Sequence, residues 1–161
     1  MHKPNIIIDL GQQTLELQDG GVVLFKTLVS TALNGAGEES GSECTPRGRH
    51  IVRARIGAGC DENTVFVARR PSGETFSETL QQQQPDRDWI LTRILWLSGC
   101  EPGVNRFGRV DTMRRYIYIH GCPDGMPMGI PASHGCIRMT NQGVVKLFNM
   151  VPVGTTVLIK E

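Results

Sequence analysis

Glycine and proline break this 161-residue chain at short intervals, with Gly 19 and Pro 9. Glycine frees the backbone for turns, and proline removes an N–H that a helix or a ladder would use. A helical bundle needs long uninterrupted segments, so this punctuation favours short strands joined by turns. The length is close to that of one domain, and a single domain over residues 1–161 is expected. Apolar residues at 39% and charged residues at 20% give a globular balance rather than a disordered one.

Lys+Arg 17 against Asp+Glu 16 leaves a net charge of +1, which argues against nucleic acid as a partner. The basic side is mostly arginine, the residue suited to planar recognition of carboxylates. No apolar run approaches the ~18 residues that span a bilayer, so no membrane partner is expected. Three isoleucines after Asn5 fall short of the apolar stretch of roughly 7–15 residues in a secretory signal. With Met1 as the native start, the expected location is the cytoplasm. Cys44, Cys60, Cys100, Cys122 and Cys136 form an odd set without a C-x-x-C pair, a usage that fits reduced thiols in a reducing compartment.

Along the chain, Asn5–Asp9 is a short apolar run of strand type. Leu15 and Leu17 alternate with polar residues over Gln13–Gln18, Asp19-Gly20-Gly21 supplies a turn, and Val22–Ser30 returns as the second arm of a hairpin. Thr31–Arg47 lacks periodicity and reads as a long surface loop, of a length that is often functional. Arg49–Ile56 alternates as a half-buried strand, and Thr64–Arg69 is a further β-rich run. Pro71–Asp88 is polar and reads as a loop with one helical turn. Trp89–Leu97 is apolar enough for a central strand. Ser98–Arg115 is a broken, arginine-rich loop, and Tyr116–His120 reads as a strand ending at a histidine. Gly121–Pro131 is a loop. Val144, Val145, Leu147, Phe148 and Val151 give Asn141–Val151 a helical pattern, with Thr140 or Asn141 as its cap. Thr155–Lys160 reads as a terminal strand. The fold class is therefore mostly β, with one helix near the C-terminal end.

The chemistry concentrates in His120-Gly121-Cys122 and Ser133-His134-Gly135-Cys136-Ile137-Arg138. One reading makes Cys136 a nucleophile and His120 its base, brought together across the Gly/Pro loop, with the proton moving from sulfur to imidazole to leave a thiolate–imidazolium pair. Gly135 lets the chain turn before Cys136, and the N–H groups of Gly135 and Cys136 are then candidate oxyanion donors. Arg138 lies within reach of a substrate carboxylate. A second reading uses H-x-C twice, with His120, Cys122, His134 and Cys136 as a tetrahedral zinc site, although that spacing is tighter than the usual two to four intervening residues. The third reading is structural. It takes Cys44, Cys60 and Cys100 as packing residues, Arg138 as one half of an ion pair, and His134 as a buried histidine bonded to the turn. His2 and His50 are read as ordinary surface or strand residues.

His120-Gly121, a loop containing Gly129, then Ser133-His134-Gly135-Cys136-Ile137-Arg138-Met139 and Asn141, resemble the signature of the L,D-transpeptidase catalytic domain, the YkuD family. Val29-Ser30-Thr31, the segment Thr45-Pro46-Arg47-Gly48 and the strand Ile94-Leu95-Trp96-Leu97 extend the resemblance over nearly the whole chain. It implies a β-sandwich with the helix following the active-site cysteine, and cysteine acyl transfer on peptidoglycan stem peptides without a cofactor or metal. Cys136 would be the nucleophile and His120 the general base. The backbone carbonyl of Gly121 would orient the imidazole, and Ser133, His134, Gly135 and Arg138 would line the substrate site. The sequence departs from the family pattern at Cys122, which would bring the risk of an inactivating disulfide with Cys136, and at Gly143, where an acidic residue is common.

The implied donor is a tetrapeptide stem or muropeptide whose bond between a third-position diamino acid and D-alanine is cleaved. Water as acceptor gives an L,D-carboxypeptidase, and an amine gives a transpeptidase that crosslinks or exchanges termini. A cytoplasmic protein meets recycled fragments rather than wall polymer, which favours hydrolysis. The resemblance also implies acylation by carbapenem-type inhibitors. A zinc-binding module and a catalytically dead wall-binding domain are the readings from other classes.

Overall fold

The computed structural model describes residues 3–161, so the surface reading of His2 lies outside the described residues. The chain forms β1 (Asn5–Asp9), β2 (Thr14–Asp19), β3 (Val22–Leu28), β4 (Gly48–Ile56), β5 (Thr64–Val67), β6 (Arg70–Thr75), α1 (Glu78–Gln83), β7 (Leu91–Gly99), β8 (Tyr118–Gly121), β9 (Ile137–Met139), α2 (Asn141–Met150) and β10 (Thr156–Lys160). The strands make a 10-stranded sheet in the order β3-β2-β1-β10-β4-β7-β5-β6, with β8 on β7 and β9 on β8. The fold is mostly β, as the glycine and proline spacing predicts. No helix among the described residues is long and apolar enough to cross a membrane.

The period-2 patterns translate directly into burial. Ile6 and Ile8 of β1 and Leu15 and Leu17 of β2 are fully buried, while their neighbours face outward. The expected first hairpin forms, pairing Leu17 with Ile6 and with Phe25. The strand β7 pairs with β4 on one side and β8 on the other, and its inner position explains its nearly continuous apolar run. The terminal strand β10 is inserted between β1, to which it is parallel, and β4.

The sheet wraps into a sandwich because its far end is closed by the segment after β3. Ser30, just past the end of β3, exchanges two backbone hydrogen bonds with Arg138 of β9, at 2.9 and 2.8 Å. One core cluster then draws on β1, β2, β4, β7, β8, β9, α2 and β10. The side chain of Thr140 caps α2 by accepting the Gly143 N–H at 3.0 Å. Val144, Leu147 and Phe148 face the core, each worth about 1.5–3 kcal/mol of burial. A Cβ at Gly143 would lie 2.9 Å from the capping Thr140 oxygen, so the tight cap favours glycine where the family pattern has an acidic side chain.

Three segments differ from expectation, one of them Pro71–Asp88, read as a loop, whose start belongs to strand β6 (Arg70–Thr75). Thr64–Arg69 is not one strand, because β5 ends at Val67 and turns through Ala68 and Arg69 into β6. The strand β6 lies on the sheet edge with mostly exposed side chains, Pro71 among them, and so carries no alternation to read. The strand expected from Tyr116 starts two residues later, since Tyr116 has a left-handed backbone (φ 57°) that closes a turn on Met113.

Candidate active site

β8 and β9 run side by side in parallel, with Ile119 opposite Ile137 and His120 opposite Arg138. Ile119 and Ile137 enter the main core. By alternation, Tyr118, His120, Cys136 and Arg138 share the other face. Cys136 is level with Tyr118, which makes His120 its diagonal neighbour, a separation that side chains can bridge. The parallel register places the two residues on one face of neighbouring strands.

The Cys136 sulfur is held by two backbone groups. It accepts the Tyr118 N–H and donates to the Tyr116 carbonyl, both at 3.3 Å. It is half-buried and lines a cleft of about 250 Å³ with Phe66, Arg69, Asp88, Tyr116 and His134. Burial pushes the thiol up to about 12, against the Tyr118 N–H that pulls it down. Burial likewise holds the His120 imidazole below its ordinary value, opposed by its bond to Gly121. Burial thus favours the uncharged form of each group at rest, and the thiolate–imidazolium pair forms by proton transfer from sulfur to imidazole.

The imidazole has a defined tautomer. His120 Nδ1 lies 2.6 Å from the Gly121 carbonyl, an oxygen that only accepts, so Nδ1 carries the hydrogen and Nε2 keeps its lone pair. Gly121 is itself packed from outside. A Cβ there would meet the Leu91 carbonyl at 2.7 Å and the Asn141 side-chain oxygen closer still. Asn141 is fixed by a bond from the Thr92 hydroxyl at 2.6 Å. Thr92 sits in a bulge of β7 opposite His120–Gly121 and has φ 76°. Such left-handed backbone in a β-branched residue costs on the order of 1–3 kcal/mol and persists where surrounding contacts enforce it.

The turn before Cys136 is stapled from both sides. Ser133 Oγ donates to the Cys136 carbonyl at 2.6 Å and accepts the Gly135 N–H at 3.2 Å. The Gly135 N–H is thus engaged and must give up that bond before it can serve an oxyanion. Gly135 adopts φ 131°, and a Cβ would lie 3.2 Å from both the Cys44 carbonyl and an Ile117 methyl. Thr45, fully buried in the long loop, donates to the Gly135 carbonyl at 2.8 Å. That loop serves as the floor of the turn.

The remaining predicted residues separate. His134 is exposed on the cleft wall, with Nδ1 3.6 Å from Asp88 Oδ2, so its reading as a buried histidine is overturned. Arg138 is almost wholly buried, donating to Asp88 Oδ1 at 3.1 Å and to the Ala132 carbonyl at 3.3 Å. This is the ion pair weighed against a substrate contact. His50 is a strand residue as expected but fully buried, bonded to the Gly48 carbonyl and Thr112 Oγ1 at 3.0 Å each. Asp88, Arg69, Tyr116 and Tyr118 were not anticipated, because only long-range pairing brings them to Cys136.

The zinc reading fails on geometry. Among the described residues no group of three or more His, Cys, Asp or Glu side chains is placed to hold a metal. The Cys122 thiol is buried and donates to the Met139 carbonyl at 3.2 Å. The feared disulfide is excluded too. Cys136 is level with Tyr118 on the parallel ladder, so Cys122 lies about 13 Å along it at ~3.3 Å per residue, beyond the ~7 Å that a disulfide allows between Cα atoms.

The catalytic-domain profile of the L,D-transpeptidase (YkuD) family matches residues 3–159. The chain belongs to this family. The Bacillus subtilis (strain 168) protein "Putative L,D-transpeptidase YqjB" is 46% identical over 55 residues, 34% of this chain and 31% of that protein. L,D-transpeptidase 3 from Mycobacterium tuberculosis, in complex with a faropenem-derived adduct, superposes with TM-score 0.61 at 16% identity, covering 99% of this chain and 61% of that one. LdtMt1 in complex with imipenem gives TM-score 0.57 at 15% identity, covering 98% and 59%. At those identities the superpositions establish the fold, and the chain spans less than two thirds of each of these proteins.

Proposed function

We propose that this chain is a cysteine acyl-transfer enzyme on peptidoglycan tetrapeptide stems, using Cys136 as nucleophile and His120 as general base. The observation that carries the reading is the Cys136 thiol on a cleft wall, with the His120 imidazole diagonal to it in a tautomer that leaves Nε2 basic. His120 Nε2 takes the thiol proton as sulfur attacks the carbonyl of the third residue. The tetrahedral oxyanion collapses, the C–N bond to D-alanine breaks, and the imidazolium protonates the leaving amine. A thioester on Cys136 remains. An acceptor deprotonated by His120 then attacks the thioester, and the sulfur leaves and regains its proton. Because burial favours the uncharged thiol and imidazole, this reading has the proton move as sulfur attacks.

In our reading the acceptor is water, which makes the protein an L,D-carboxypeptidase of muropeptide recycling in the cytoplasm. The cleft of about 250 Å³ is small beside the ~300–1,000 Å³ of ordinary ligand sites, favouring one peptide tail and water over two peptides. The cysteines are free thiols, with Cys100 exposed, which fits a reducing compartment. The second reading, transfer to an amine, is favoured by the family membership itself. Incubation with disaccharide-tetrapeptide, with and without an amine acceptor, followed by mass spectrometry, tests both. Tripeptide in both reactions is the expected result. Dimers or exchanged termini would replace hydrolysis by transfer, and no product would overturn the enzymatic reading. Cell fractionation tests the cytoplasmic assignment, and imipenem, which LdtMt1 binds, is expected to acylate Cys136.

A further inference from the structure

The arginine on the cleft wall is Arg69, not Arg138. It stands at the tip of the β5–β6 hairpin, in a turn where Ala68 and Arg69 both have left-handed backbone (φ 47° and 64°) although neither is glycine. Two-residue hairpin turns of this kind normally use Asn-Gly or Asp-Gly. The side chain reaches back over the cleft. Its guanidinium lies 4.7 Å from the ring centre of Tyr116 and 5.0 Å from that of Trp96, and Nη1 donates to the Tyr118 hydroxyl at 3.1 Å. The backbone N–H of that same Tyr118 sits on the Cys136 sulfur. The cation is therefore one tyrosine side chain away from the thiol.

Arg47, Arg87, Arg109 and Arg138 each form an ion pair with a carboxylate, whereas Arg69 forms none among the described residues. Its bond to Tyr118 uses one of five N–H donors. A guanidinium clamped by rings and a hydroxyl is ordered in advance, and its free edge suits the two oxygens of a carboxylate. The Asp88 carboxylate, also on the cleft wall and tied to Arg138, repels an anion and so gives the cleft a direction.

We propose that Arg69 is a specificity-determining residue that binds the terminal carboxylate of the leaving D-residue. The proposal rests on the acyl-transfer reading above and deepens it. A substrate whose scissile bond is followed by a single residue places its carboxylate on Arg69 while its carbonyl faces Cys136. An amidated or longer chain lacks that charge at that distance. The protein then removes terminal residues and spares internal bonds.

The test measures binding in the Cys136→Ala background, where turnover cannot intervene. Disaccharide-tetrapeptide with a free terminal carboxylate and the same compound as its terminal amide are titrated by calorimetry. The acid is expected to bind about tenfold more tightly, the factor carried by one charge-assisted contact. Arg69→Gln is expected to reduce that preference to within about twofold, and Arg69→Lys to keep part of it. The lysine variant, which retains the stem over Tyr116 and Trp96, covers the case in which the glutamine variant does not fold. An acid-to-amide ratio unchanged in the variants overturns the proposal, as does equal binding of acid and amide, or binding of neither, by Arg69 protein. Failure of the acyl-transfer reading is seen separately, as absence of tripeptide from the wild-type enzyme.

Discussion

Cys136 donates its hydrogen to a backbone carbonyl and is pushed up to about 12 by burial. Its alkylation by iodoacetamide, located by peptide mass mapping, is therefore expected to rise steadily from pH 6 to above pH 10. A plateau near neutrality would instead show a preformed thiolate. Asp88 presents a second residue-scale test. Its removal leaves the buried Arg138 guanidinium with only the Ala132 carbonyl. Because Asp88 is 43% exposed, Asp88→Ala is expected to cost only about 1–2 kcal/mol in urea denaturation. A loss of 4 kcal/mol or more would place this pair among the fully desolvated ones. Cys136, His120 and the turn glycine were legible in the sequence because reactive residue types cluster there around turn chemistry. Arg69, Asp88 and Tyr118 were not, since each lies in a segment whose own pattern is polar or apolar without distinction.

At the scale of elements, the site depends on how β7 bulges at Thr92 to place Asn141 over Gly121. Gly121→Ala drives a Cβ into the Leu91 carbonyl and the Asn141 side chain, and the Leu91 contact is with backbone. The expected outcome is a loss of roughly 3 kcal/mol or more in stability, with turnover falling further because the carbonyl that orients His120 moves. Asn141→Ala is not expected to rescue it. An alanine variant of wild-type stability would remove this account of the glycine. The β2–β3 hairpin and the helix α2 were readable from alternation and from the i, i+3, i+4 pattern. The β5–β6 hairpin was not, because a non-glycine turn carries no turn signal and an exposed edge strand carries no burial signal.

For the whole molecule, the pH dependence of stability follows from imidazoles held neutral inside the fold. Burial lowers His50 from 6.5 to about 4, and lowers His120 as well. The unfolded chain takes up protons below its ordinary histidine value while the folded chain does not. Stability is therefore full above about pH 6.5 and is lost as pH falls toward 4. From pH 7 to pH 5, His50 alone is expected to remove about 2 kcal/mol, measured by urea denaturation at the two values. His50→Gln, which keeps the hydrogen-bonding capacity without titrating, should flatten the slope. An unchanged slope would show that other groups set it. The closed topology was beyond the sequence, since nothing local to Ser30 or to Thr156–Lys160 states which strand it will meet.

The position of β10 between β1 and β4 has a bearing on biosynthesis. Until the polypeptide beyond residue 155 has been translated, neither strand has the partner that joins it to the other. A ribosome stalled in α2 would hold a chain that already contains Cys136 but not the support that orders its surroundings. The surroundings of Cys136 are thus completed only once β10, well downstream of the cysteine in the chain, has been added.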